Sequence, residues 1–235
     1  MKITAILLMA GTGSRFKETI PKQFINLDGK KIYLHSLDTF GSLNIFDEIL
    51  LMVHPDFIGE VGEDIKEYRN VKVFSGGATR QQSSYLALKN TSADYVVIHD
   101  AARPFITKKI ILDNIESAIK YRAVNTCIKS MDTLVEKDEY NFIKKIPDRE
   151  SILRGQTPQS FEYRLILTSH ERALKKGITN ATDDAQLVLD QTNPYIVEGD
   201  QTNIKITTKL DLILAQEICK INKQLVLKEN EACWT

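Results

Sequence analysis

The sequence predicts a Rossmann-like, three-layer α/β/α fold around a mostly parallel sheet, with a β-arm projecting from it. Three observations carry this expectation. Short β-rich apolar runs recur at 3–8, 48–53, 71–74 and 95–98, and stretches of helical periodicity lie between and after them at 33–40, 58–68, 80–89 and 108–121. Glycines close two of the runs, Gly11 with Gly13 and Gly76 with Gly77. Such alternation of β and α units implies parallel strands joined by helical crossovers and buried on both faces.

Beyond these units, 124–131 reads as a further strand. The stretch 132–148 is highly charged, has little helical period, and alternates Leu134, Val135, Phe142 and Ile143 with polar residues. A solvated surface hairpin explains the charge. A dimerisation arm over 132–150 also explains the apolar alternate face, which needs a partner. Helices follow at 162–176 and 183–189, then a strand at 194–197 and a closing helix at 209–223. With no internal repeat or linker, 1–235 reads as a single domain with the arm as its subdomain.

The bulk numbers exclude several function classes. The chain has 235 residues, of which 43% are hydrophobic, enough for a substantial core. Its 31 Lys plus Arg balance 31 Asp plus Glu, so nothing global draws it to nucleic acid or an anionic membrane. The apolar run 5–10 is too short for a membrane span and leads into glycines, so no export signal is expected. Cys127, Cys219 and Cys233 are odd in number and widely spaced, which predicts neither disulfides nor zinc and fits a reducing cytoplasm. His35, His54, His99 and His170 lack ligand-like spacing.

The first loop reads Ala10-Gly11-Thr12-Gly13-Ser14-Arg15-Phe16 and continues to Pro21-Lys22-Gln23. Gly11 and Gly13 allow backbone N–H groups to face phosphate oxygens, while Arg15 and Lys22 bring two positive charges to the same anion. A tight strand exit uses glycines for structural reasons alone; the two cations make a triphosphate site the better account. The loop lacks the Gly-Lys-Ser/Thr ending of a Walker motif and the third glycine of a dinucleotide fingerprint, so ATPase and dehydrogenase readings lose ground.

His99-Asp100-Ala101-Ala102-Arg103-Pro104 follows the run 95–98, at the carboxyl end of a strand, where open α/β sheets bind ligands. Asp100 is suited to a Mg²⁺ ion completed by water and phosphate oxygens, against the plainer reading of a turn cap. Arg103 is suited to a phosphomonoester, against a surface ion pair. Gly76-Gly77-Ala78-Thr79-Arg80-Gln81-Gln82-Ser83 follows another strand and opens a helix whose N–H groups can face a nucleotide.

Together and in this order, these loops resemble the cytidylyltransferases that make CDP-methylerythritol in isoprenoid synthesis, and their relatives that make CDP-ribitol. The resemblance runs from Ile3 to about Ile218 and draws also on Asp132-Thr133, Asp148-Arg149, Thr157-Pro158-Gln159, Thr182-Asp183-Asp184-Ala185 and Asn203-Ile204-Lys205-Ile206-Thr207. It implies a sheet of the nucleotide-diphospho-sugar transferase type and transfer of CMP from CTP to a sugar-alcohol phosphate, with release of diphosphate. It further implies that Arg15, Lys22 and Lys205 neutralise the triphosphate and that Asp100 sits beside Mg²⁺ and the acceptor. CTP would lie against Leu8, Met9, Ala10, Gly11, Gly13, Gly76, Gly77 and Ser83. The acceptor phosphate would meet Asp100, Arg103, Thr157, Thr182 and Lys205 of one subunit, with Thr133 and Arg149 reaching over from the arm of the other in a homodimer.

Met9 stands where a smaller residue is commoner, and Ala78 where an acid often follows the paired glycines. Ala101-Ala102 and the 182–185 run are similar to enzymes acting on methylerythritol 4-phosphate; Gly155-Gln156 and the 205–208 run are similar to those acting on ribitol 5-phosphate. A non-catalytic nucleotide-binding protein is a further alternative, against which Lys22, Asp100 and Lys205 stand. The expected chemistry is in-line attack of the acceptor phosphate on the α-phosphorus of CTP. A phosphomonoester with a second pKa of about 6 needs little general-base help, which accounts for the lack of an obvious catalytic His or Ser.

Overall fold

The computed structural model describes residues 1–11 and 21–232, with side chains described as far as 224. β1 (Ile3–Met9) is buried at all its positions, and a short 3₁₀ turn, Lys22–Phe24, leads to the small antiparallel pair β2 (Asn26–Leu27) and β3 (Lys30–Lys31). α1 (Ile32–Gly41) then packs Tyr33, Leu37 and Phe40 under the sheet, and β4 (Glu48–Val53) returns beside β1. α2 (Ile58–Asp64), β5 (Val71–Ser75), α3 (Arg80–Lys89), β6 (Tyr95–Asp100) and α4 (Lys108–Tyr121) follow. The bounds of α3 and α4 are those the sequence predicts. Each starts at a threonine whose hydroxyl accepts an N–H of the first turn, Thr79 from Gln82 and Thr107 from Ile110.

The second part of the chain contributes β7 (Ala123–Lys129), the arm strands β8 (Glu136–Lys137) and β9 (Ile143–Lys145), β10 (Leu153–Glu162), α5 (Tyr163–Lys175), β11 (Tyr195–Glu198) and α6 (Lys209–Ala232). The sheet order is β11-β7-β10-β6-β1-β4-β5. β1 is parallel to both β4 and β6, β4 to β5 and β7 to β11, while β10 runs antiparallel to its neighbours β6 and β7. Alternate residues of β1 face opposite layers. Ala5, Leu7 and Met9 join α1 and α4 on one side; Ile6 and Leu8 join α3 and α5 on the other.

Two predicted helices are shorter than expected, the closing helix predicted over 209–223 runs on to Ala232, and one strand is new. The helix predicted over 58–68 stops at Asp64, beyond which the backbone closes into turns, Lys66 N–H donating to the Glu63 carbonyl and Tyr68 N–H to the Ile65 carbonyl, while the Asp64 carboxylate turns inward to accept from Lys31 and the Tyr33 hydroxyl. The helix predicted over 183–189 is a single 3₁₀ turn, Ala185–Val188, since the Asp184 carboxylate bonds to Arg80, Ser84 and His170 and caps nothing. β10 is a strand that the apolar pattern does not announce. The hairpin expected over 132–148 is present as β8 and β9, turning at Asn141 with a positive φ of 68°. The Asp138 carboxylate accepts the Tyr140 and Phe142 N–H groups there, each at 2.9 Å.

Candidate active site

The strand order reverses at β1, so its carboxyl end and that of β6 open side by side, with Leu8 and Asp100 in register. A cleft of about 770 Å³ lies there. Leu8, Met9, Ala10 and Gly11 line it from the end of β1, Gly77, Ala78, Thr79, Arg80 and Ser83 from the start of α3, and Asp100 and Ala102 from the end of β6. Lys22, Lys205 and Asn180 arrive from three separate segments.

Local contacts set each of these. Gln23 donates through Nε2 to the carbonyls of Met9 and Gly11, the latter at 2.7 Å, which ties the turn bearing Lys22 to the end of β1. Gly76 packs so closely on that loop that a Cβ would overlap Ala10 Cβ. The Ser83 hydroxyl accepts the Gly77 N–H at 3.0 Å and donates to the Thr79 carbonyl at 3.0 Å, shaping the α3 entrance. Lys205 is held between two backbone anchors. Arg103 Nη1 donates to the Asn203 carbonyl at 2.7 Å, and the Ile206 N–H donates to the Ala102 carbonyl at 2.9 Å.

The electrostatic centre is Asp100. Its Oδ2 accepts from Lys205 Nζ at 2.7 Å and its Oδ1 from Arg80 Nε at 3.2 Å. Burial alone would raise this carboxyl, but Arg80, Lys205 and Arg103 override it and hold it well below the usual carboxylate range. Arg80 also donates through Nη1 to Asp184, whose carboxylate is buried and held low, against its own burial, by Arg80 and His170. Behind Asp100, its N–H donates to Thr157 Oγ1 at 3.1 Å, and that hydroxyl meets His99 Nδ1 at 3.0 Å. Burial pushes His99 down to about 4, so the ring is neutral near pH 7. Arg103 is pushed down by burial, and its Nε is buried without a partner among the described residues.

Asp100 is the carboxylate of the cleft wall, and no group of three His, Cys, Asp or Glu stands close enough to hold a metal among the described residues. One carboxylate is too few for an all-protein cage. It fits Mg²⁺, which takes one or two carboxylates and fills the rest with phosphate oxygens and water.

A profile described as 2-C-methyl-D-erythritol 4-phosphate cytidylyltransferase matches residues 3–221. The chain belongs to this cytidylyltransferase family. Enzymes of that name from Clostridium botulinum (strain Loch Maree) and Clostridium tetani are 40% and 41% identical to it, covering 92% and 93% of this chain and 97% and 91% of theirs. Among solved structures, the 4-diphosphocytidyl-2C-methyl-D-erythritol synthase of Anaerococcus prevotii superposes with a TM-score of 0.85 at 31% identity, covering 93% of this chain and 96% of that one. The Thermus thermophilus 2-C-methyl-D-erythritol 4-phosphate cytidylyltransferase gives 0.77 at 30%, covering 94% and 100%.

Of the site residues the sequence singles out in this cytidylyltransferase, Leu8, Met9, Ala10, Gly11, Lys22, Gly77, Ser83, Asp100 and Lys205 meet in the cleft, and Gly76 stands directly behind Ala10. Gly13 and Arg15 lie outside the described residues. Thr157 is buried behind Asp100, and Arg103 is anchored on Asn203, so both bear on the cleft from its wall. Thr133 and Arg149 are exposed on the arm, and Thr182 is exposed beside the segment carrying Asn180; none of these three lines the cleft of one subunit. Sequence reasoning missed Arg80, Gln23 and Asn180. Arg80 alone left a signal, a cation at the first turn of a helix, where the dipole disfavours it unless acids pay for the placement.

Proposed function

We propose that the chain transfers CMP from CTP to 2-C-methyl-D-erythritol 4-phosphate with release of diphosphate, a step of isoprenoid precursor synthesis by the non-mevalonate route. The observation that carries this is the Lys205–Asp100–Arg80 cluster beside two backbone loops at the sheet's switch point. The loops 8–11 and 76–83 receive the nucleotide, with Lys22 and Arg15 on its phosphates and the Gly77 backbone and Ser83 toward the base. Lys205 exchanges Asp100 for phosphate when the substrates enter, and Arg80 keeps Asp100 paired. Arg103, Thr157 and Thr182 form the acceptor side, which the unpaired Arg103 Nε supports.

The acceptor phosphate is already ionised near neutral pH, so the chain's residues align it and stabilise charge without taking its proton. Asp100 is the residue that would hold Mg²⁺, and the ion would supply charge neutralisation to the phosphates when bound. The arm over 132–150 completes the acceptor pocket of a second subunit through Thr133 and Arg149. Its exposed Tyr140, Phe142, Ile143 and Ile146 support a homodimer through this element. The balance of 31 basic and 31 acidic residues and the wide spacing of the cysteines support a reaction in the cytoplasm on small molecules; no helix among the described residues is long and apolar enough to cross a membrane.

Diphosphate release across the four nucleoside triphosphates, with methylerythritol 4-phosphate or ribitol 5-phosphate as acceptor and Mg²⁺ present, tests the proposal. Release is expected with CTP and methylerythritol 4-phosphate. Faster release with ribitol 5-phosphate moves the chain to the other acceptor, and no release in any mixture leaves a nucleotide-binding protein. Lys22→Ala is expected to lower kcat by roughly 10²–10³, about 3–4 kcal/mol of transition-state stabilisation.

A further inference from the structure

The segment after α5 leaves its helix at Gly177, with a positive φ of 74°, and runs to Asp184 without regular structure. Such a segment has few backbone bonds of its own, yet it brings Asn180 into the wall of the cleft. The first turn of α3 holds it there. Gln81 is almost fully buried (1% exposed) and spends both ends of its carboxamide on this backbone, Nε2 donating to the Ile178 carbonyl and Oε1 accepting the Ala181 N–H, each at 2.7 Å. The neighbouring Thr79 hydroxyl donates to the Thr179 carbonyl at 3.0 Å. The peptide groups bracketing Asn180 are thus fixed from one helix turn, while Asn180 itself keeps an exposed side chain.

We infer that Gln81 is a positioning residue and that Asn180 is the specificity-determining contact it presents to the hydroxyls of the acceptor polyol. A carboxamide carries donors and an acceptor on one planar group, which suits neighbouring hydroxyls. The segment borders the nucleotide loop 76–83 through its anchors, but the acceptor is favoured because the same segment runs on through Thr182, of the proposed acceptor side, to Asp184, which holds Arg80 and so bears on Asp100. The inference rests on the proposed reaction and names two further residues of its acceptor side.

The test compares wild type, Asn180→Ala, Gln81→Met and Gln81→Glu by steady-state kinetics with CTP and 2-C-methyl-D-erythritol 4-phosphate, and by hydrogen exchange of the Ala181 amide. Asn180→Ala is expected to raise the acceptor KM about tenfold, leaving the CTP KM within about twofold and the melting temperature unchanged. Gln81→Met should give the same split and faster Ala181 exchange, and Gln81→Glu, which retains the acceptor for the Ala181 N–H, should recover part of both. An unchanged acceptor KM in Asn180→Ala, or an equal rise in both KM values, overturns the role of Asn180. Faster exchange in Gln81→Met without a kinetic split overturns that of Gln81. A wild-type protein inactive with this acceptor overturns the reaction and Asn180's role with it, while the exchange still decides whether Gln81 holds the segment.

Discussion

The two halves of the sheet are held by different physics. Across β4, β1 and β6 the strands are largely apolar runs sandwiched between helices, with Leu7, Leu51 and Val97 fully buried against Tyr33, Leu37 and Phe40. From β10 to β11 the interior contains many polar side chains that bond to one another. Asn114 of α4 donates to Thr126 Oγ1 at 2.9 Å, Thr126 donates to the Pro158 carbonyl at 2.6 Å, and Gln159 donates to Asn125 at 2.9 Å. Asn203 donates to the Thr157 carbonyl at 2.9 Å. Apolar burial is non-directional and tolerates adjustment, whereas a buried polar network demands that every partner be in place. The polar half is also the half that carries Thr157 and, through Asn203, receives the segment bearing Lys205, while the segment bearing Asn180 is anchored on α3 and reaches the polar half only at Asp184.

Damage to the apolar half should cost the most. Phe40→Ala is expected to destabilise by about 3–5 kcal/mol in urea melts, through lost transfer energy and a residual cavity. A loss below about 1 kcal/mol would mean the helix layer collapses onto the gap.

His99 lies at the seam, its ring 5.4 Å from Phe40 on one side and hydrogen-bonded to Thr157 on the other. Its pKa falls from an ordinary 6.5 to about 4 in the folded state, so between these values the unfolded chain binds more protons. Stability from this residue is complete above pH 6.5 and is lost as pH falls toward 4, by about 3 kcal/mol in all. The slope measured from melts across this window should flatten in His99→Asn; an unchanged slope would assign it to other groups.

In the polar half, Asn114→Ala is expected to cost about 1–3 kcal/mol, because Thr126 and Ser160 lose a buried partner. A double-mutant cycle with Ser160→Ala should show coupling, and strict additivity would mean the network acts as separate bonds. Smallest of all, Phe142→Ser on the exposed arm should change monomer stability by less than about 0.5 kcal/mol while shifting sedimentation toward monomer.

The same contrast explains what the sequence revealed. β1, β4 and β6 read directly because burial on both faces demands continuous apolar residues. β10 did not, since Gly155-Gln156-Thr157-Pro158-Gln159-Ser160 satisfies its surroundings with hydrogen bonds, and its pairing with β7 breaks register between Gly155 and Gln159. Within the site, Gly11, Lys22 and Asp100 were legible because loop glycines and charges that follow strands have few other uses, whereas Lys205, in an irregular stretch between β11 and α6, was reached only through the family resemblance. Arg80 and Gln81 were not legible, because their partners, Asp184 and the 178–181 backbone, lie about a hundred positions away in the chain.

The closeness of Gly76 to Ala10 bears on how this cleft can change over evolutionary time. A methyl group is the smallest step available to a glycine, and at position 76 it is already too large, since it would meet Ala10 Cβ and Ser83 Oγ together. Position 76 is therefore closed to point substitution on this backbone. Variation in what the cleft accepts has to enter through positions whose side chains already reach it, such as Met9 and Ala78.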